Sequence, residues 1–107
     1  MATTTRTTRS PRVSTPVGVP DDVALAAMAK ALSHPARVKI LRLLDARQQC
    51  VTGDVVAEFG LAQSTISEHL RILREAGLIQ GEIEGPRTRY CVSSDGLDSL
   101  KAGIAAL

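Results

Sequence analysis

The sequence predicts a mainly α-helical domain carrying one small β-hairpin, with about five helices in the order α-α-α-α-β-β-α. Three observations predict it. Apolar residues recur at spacings of three and four through most of the chain, the period of amphipathic helices. Glycine or Ser-His-Pro breaks punctuate those stretches. Late in the chain two β-prone runs flank Glu84-Gly85-Pro86-Arg87, whose central Gly-Pro is a turn signal. With 107 residues, 44% of them apolar, the chain has room for one domain with a modest core.

Residues 1–20 are Thr-, Ser- and Pro-rich and carry Arg6, Arg9 and Arg12 with no acid. Such a composition cannot bury a core, so a disordered basic tail is expected, with the folded domain over 21–107. The tail reads either as a solvated extension or as a cationic arm that touches phosphates. It holds three of the 13 basic residues, so the rest of the chain sets ten against 11 acids and is close to neutral.

Asp21 and Asp22 open an Ala-rich first helix, where acids complement the helix dipole. Leu25, Met28 and Leu32 give it one apolar face. Ser33-His34-Pro35 ends it, and Pro35 suits the first turn of a second helix. In that helix Ile40, Leu41 and Leu44 face inward, with Arg37, Lys39 and Arg42 outward. A linker leads to a third helix from about Gly53 to Phe59, closed by Gly60 as a left-handed cap. The fourth helix starts at Gln63 and is capped by Gly77. Ile66, Leu70 and Leu73 form its core stripe, opposite Ser64, Ser67, Glu68, Arg71 and Glu75. The hairpin follows, then a last helix over 95–107 with Leu97, Leu100, Ile104 and Leu107 on one face.

The third and fourth helices, joined by a short turn at Gly60, make a helix-turn-helix. The second of them begins with Gln63, Ser64, Thr65 and Ser67, side chains short enough to let a helix lie deep in a major groove. Arg87 and Arg89 stand in the hairpin directly after it. A cationic hairpin beside a groove-reading helix describes a winged helix-turn-helix whose wing reaches backbone or minor groove. The residues expected on double-stranded DNA are therefore Gln63, Ser64, Thr65, Ser67, Glu68, Arg71, Arg87 and Arg89. The alternative from the same pattern is a winged-helix protein–protein adaptor without DNA binding.

Composition removes other classes. Phe59 and Tyr90 are the only aromatics, too few for base-stacking platforms. Two cysteines exclude a disulfide-stapled scaffold and a four-cysteine zinc site. No phosphate loop, nucleophile motif or metal-ligand spacing suggests an enzyme. No apolar run approaches the roughly 20 residues of a membrane span, and no secretory signal opens the chain, so a cytoplasmic protein is expected.

ALSHPARVKILRLL, GLAQSTISEHLRILREAGLI and the EGPRTRYCV hairpin resemble the ArsR/SmtB repressors, over residues 24 to about 107. The resemblance implies a homodimeric repressor that leaves its operator on a metal, metalloid or thiol-reactive signal. It places dimer contacts on the first and last helices, here Leu25, Met28, Leu32, Leu100 and Ile104. The family's Cys-x-Cys arsenic site falls on Val51 and Gly53 and is absent, and Cys50 falls where a buried leucine is usual. The last helix offers Asp95 and Asp98 but no His. His34 precedes a helix start, and His69 flanks the recognition-helix stripe in an expected hydrogen-bonding role. The resemblance also implies that the segment around Gln49–Val51 pairs with the second wing strand, which carries Cys91 on the same face as Arg89. Cys50 and Cys91 read either as two unrelated thiols or as a thiol sensor: a two-thiolate site for arsenite or another soft metal or metalloid, or a redox pair.

Overall fold

The computed structural model describes residues 19–58, 60, 63–84 and 87–107. Four helices of ten residues or more are α1 (Asp22–Ala31), α2 (Pro35–Arg47), α4 (Gln63–Glu75) and α5 (Ser94–Ala105). Between the second and third of these lies the five-residue α3 (Gly53–Ala57), shorter than the helix to Phe59 that periodicity suggested. A sheet in the order β1-β3-β2 is built from β1 (Val51–Thr52), β2 (Ile79–Glu84) and β3 (Arg87–Val92). Together these form a winged helix-turn-helix with an antiparallel wing. The basic tail over residues 1–18 and the Gly85-Pro86 turn lie outside the described residues.

Local chemistry sets the helix ends. The Asp21 carboxylate accepts from the Ala24 amide at 2.8 Å and caps α1. His34 caps α2, its Nδ1 accepting from the Ala36 amide at 3.1 Å, with Pro35 in the first turn. Ser93 caps α5 by accepting from the Gly96 amide. Gly60 and Gly77 adopt φ +85° and +81°, the left-handed geometry expected of both. After α4 the Gly77 amide donates to the Arg74 carbonyl and the Leu78 amide to Leu73, a Schellman ending that turns buried Leu78 into the core.

The core gathers the predicted stripes. Ile40, Leu41 and Leu44 of α2 meet Ile66, Leu70 and Leu73 of α4, with Leu78, Ile79 and Leu100 closing around them. Tyr90 and Val92 pack against this core from one face of β3. Arg37 departs from its expected outward position. It is half-buried, and its Nε donates at 2.6 Å to the Ala31 carbonyl at the end of α1, a carbonyl without a partner inside its own helix. On the far side α1 and α5 pack closely: a Cβ on Gly103 would meet Leu25 and Pro20 side-chain carbons at 2.9 Å. Among the described residues no helix is long and apolar enough to cross a membrane.

Candidate nucleic-acid interface

The helix-turn-helix hangs on α4. Ile66, Leu70 and Leu73 are at most 2% exposed, which fixes the rotation of the helix. That rotation leaves Thr65, Ser67, Glu68 and Arg71 on the exposed side. Gln63 and Ser64 lie in the first turn of α4 and Arg87 begins β3, but their side chains lie outside the described part.

The exposed face is not uniformly cationic. Arg71 donates to both Glu68 carboxylate oxygens at 2.8 and 3.0 Å and to Glu75 at 2.8 Å. These hydrogen bonds, with Glu68 first and Glu75 second, hold its guanidinium above the usual arginine range of basicity. Its charge is balanced on the helix surface, where three of its five N–H donors already serve the two carboxylates. The spacing that allows this, one acid three residues before and one four residues after, is visible in the sequence.

Arg89 is half-buried and turned back into the sheet, its Nη2 donating to the Cys50 carbonyl at 2.8 Å. It ties the wing to the strand ahead of α3. The wing is a regular ladder, with Ile79 opposite Val92 and Glu84 opposite Arg87.

Behind the reading face, His69 fills a slot between α4 and α2 and is 5% exposed. Its Nδ1 lies 3.3 Å from an Arg37 Nη, and its ring centroid is 4.6 Å from that of His34. A guanidinium only donates, so Nδ1 accepts and Nε2 carries the proton. Nε2 is buried and has no hydrogen-bond partner among the described residues. Burial first, then His34 and Arg37, push the His69 pKa below its ordinary value against an opposing pull from Glu68. The expected hydrogen-bonding role is half fulfilled.

Of the two readings of the thiols, the structure holds the paired one: Cys50 and Cys91 form a disulfide between the residue ahead of β1 and β3. Glu82 of β2 lies beside them, and one ligand atom from each of the three residues falls within 4.8 Å of the others. With the sulfurs joined, the pair offers no thiolate, so these residues fit a soft cation only as a dithiol. The sequence reading missed Glu82, whose neighbourhood follows only from the β2–β3 register that sets it opposite Arg89.

The expected dimer residues divide. Met28 and Leu100 are 9% and 3% exposed, buried within the chain itself, and Leu25 and Leu32 are half-buried. Ile104 is 53% exposed, and Val23 and Leu107 stand out at 80% and 93%. Val23, at the start of α1, lies off the stripe that the period singled out.

A sequence profile of the family described as bacterial regulatory protein, arsR family, matches residues 34–80. The chain is 40% identical over 75 residues to the HTH-type transcriptional regulator CmtR of Mycobacterium bovis, covering 69% of this chain and 62% of that protein. It is 32% identical over 79 residues to the HTH-type transcriptional regulator YgaV of Escherichia coli, covering 74% of this chain and 80% of that one. A homodimeric winged helix-turn-helix DNA-binding domain from Mycobacterium bovis, solved by NMR, superposes with a TM-score of 0.62 at 28% identity, covering 78% of this chain and 75% of that one. The match to CmtR thus spans about 62% of that regulator's length.

Proposed function

This chain belongs to the arsR family of bacterial regulatory proteins, and from that premise we propose that it is a homodimeric, DNA-binding transcriptional repressor of the cytoplasm. The observation that carries the reading is the two-sidedness of α4. Its inner stripe is locked in the core, while its outer side presents Thr65 and Ser67 at the start of the helix, where side chains enter a major groove. Gln63 and Ser64 complete that edge, and Arg87 supplies a phosphate contact from the wing. Arg89 serves by holding the wing in place. Glu68 and Arg71 form the polar flank of the reading face, and Arg71 exchanges its carboxylates for phosphate on binding.

Two copies join through α1 and α5, where Val23, Ile104 and Leu107 supply exposed apolar surface and Leu25 and Leu32 the half-buried floor. Two recognition helices are thereby set to read two half-sites. An inducer releases the dimer; of the sites that the family resemblance would assign to metal, the Cys-x-Cys pair of the third helix is absent and the last helix has Asp95 and Asp98 but no His.

The test is fluorescence anisotropy with duplexes selected from a random pool by the purified chain. Enrichment of an inverted repeat with half-sites about one helical turn apart supports the proposal. A pool that stays random, with no retention on duplex at low salt, refutes it in favour of the adaptor.

A further inference from the structure

The disulfide joins the two parts of the molecule whose relative position matters for a groove-reading protein. Val51 opposes Tyr90 and Thr52 opposes Arg89, so Cys50 continues the same register directly opposite Cys91. Their Cα atoms are 4.3 Å apart, close to the roughly 4.5 Å of the nearer class of cross-strand pairs. The ladder alone therefore brings the sulfurs within bonding reach. Cys50 sits three residues ahead of α3, and Cys91 lies in the wing strand.

The surroundings suit reaction. Both cysteines are half-buried, not sealed in the core. Cys50 lines an open cavity of about 410 Å³ together with Arg47, Gln49, Thr52, Val55 and Arg89. Arg47 and Arg89 line that cavity and attract an anionic reagent to it, against the Glu82 carboxylate that lies beside the sulfurs. In a reducing cytoplasm a persistent structural disulfide is unusual, and a cross-strand bond beside an open cationic cavity belongs to the reversible kind.

We propose that Cys50 and Cys91 are a reversible dithiol–disulfide site whose reagent is a low-molecular-weight anionic disulfide, and that closing it fixes the wing against the strand ahead of α3. The Cys50 thiolate attacks one sulfur of the reagent, forming a mixed disulfide and expelling one small thiolate. The Cys91 thiolate attacks the Cys50 sulfur of that mixed disulfide, forming the Cys50–Cys91 bond and expelling the second small thiolate. The protein thiols give up two electrons and two protons, and the reagent leaves as two thiols. A reduced wing is held to β1 by backbone pairing and the Arg89 contact and adjusts to the groove. An oxidised wing is pinned at one pose, which shifts the chain off DNA. This output rests on the DNA-binding reading above, whereas the thiol chemistry does not.

The experiment equilibrates the full chain in glutathione buffers from fully reduced to fully oxidised, then traps the thiols, weighs the protein and measures duplex affinity by anisotropy. The expected oxidised product is two hydrogens lighter, with no glutathione attached, and binds DNA about tenfold or more weakly than the reduced form. Cys91→Ser should stop at a glutathione adduct on Cys50, and Arg47→Ala should slow reaction with glutathione disulfide but not with the cationic reagent cystamine. Cys50→Ser combined with Cys91→Ser should bind DNA equally in both buffers. Failure to form the internal disulfide in oxidising buffer overturns the site. Equal DNA affinity of the two redox forms overturns the switch. Thiols that capture a phenylarsenical yet resist glutathione disulfide make this a metalloid site and overturn the redox assignment. A chain that closes the disulfide but binds DNA in neither form overturns the repressor reading and leaves the redox site standing.

Discussion

The α1–α5 side and the α4–wing side expose opposite chemistry. At the first, Val23, Ile104 and Leu107 stand in solvent although the chain has a full core of its own. At the second, the exposed side chains among the described residues include Thr65, Ser67, Glu68, Arg71, Glu75 and Glu82, with every aliphatic residue of the α4 stripe turned inward. Apolar side chains left out of a completed core mark a surface that is buried by protein, whereas hydroxyls and charges remain wet and exchange water for phosphates and base edges. In the proposed function, one small domain thus separates self-association from recognition, with α4 as the wall between them.

Breaking the first side should have the largest effect on binding. Ile104→Glu places a carboxylate where the structure has free space, so the chain should keep its helical circular dichroism yet sediment as a monomer. Duplex affinity should fall by about a hundredfold, because one half-site loses the avidity of two. Dimers of unchanged stability would move the partner surface elsewhere. The same change at Leu100, which is 3% exposed, would confuse dimerisation with folding. Leu100→Ala should instead cost about 2–5 kcal/mol of stability, read as a lower denaturation midpoint.

The second side should respond without any loss of fold. Ser67→Ala should weaken binding to the selected sequence by about 1–3 kcal/mol if its hydroxyl reaches a base edge, with sedimentation unchanged. Arg87→Ala should weaken all duplexes alike and lower the salt slope by about one. A loss confined to one sequence would contradict the phosphate role.

The wall between the sides gives the smallest effect. Burial, His34 and Arg37 depress the folded pKa of His69, so the unfolded chain takes up this proton first as acid is added. The contribution to stability is whole above the ordinary value near 6.5 and is lost as pH falls from there through the depressed folded value. Denaturant melts at pH 7.5 and 5.5 should show that loss in the wild type and a shallower one in His69→Leu. Identical pH dependence in both would remove His69 from the account.

Periodicity made α4 legible because Ile66, Leu70 and Leu73 leave no other face to bury. It gave α1 one apolar face, with Leu25, Met28 and Leu32, but could not divide the residues buried within the chain from those left exposed, since both look apolar. Arg37 and His69 escaped it for the reverse reason: they are polar, and their burial depends on an α1 carbonyl and on each other across helices. Arg71 reads as a DNA contact in the sequence, although Glu68 and Glu75 stand three residues before and four after it, where they pair with it. The closeness of Cys50 and Cys91 came from the resemblance alone. A register relates residues 41 apart, and no local pattern encodes it.

In the proposed function the hydroxyl edge of α4 and the wing face duplex DNA. The most direct measurement is the affinity of the reduced chain for a random-sequence duplex over a series of salt concentrations. Log affinity should fall linearly against log salt, with a slope of about −0.9 for each phosphate neutralised and several phosphates per dimer. A slope near zero, or no binding at low salt, would contradict it.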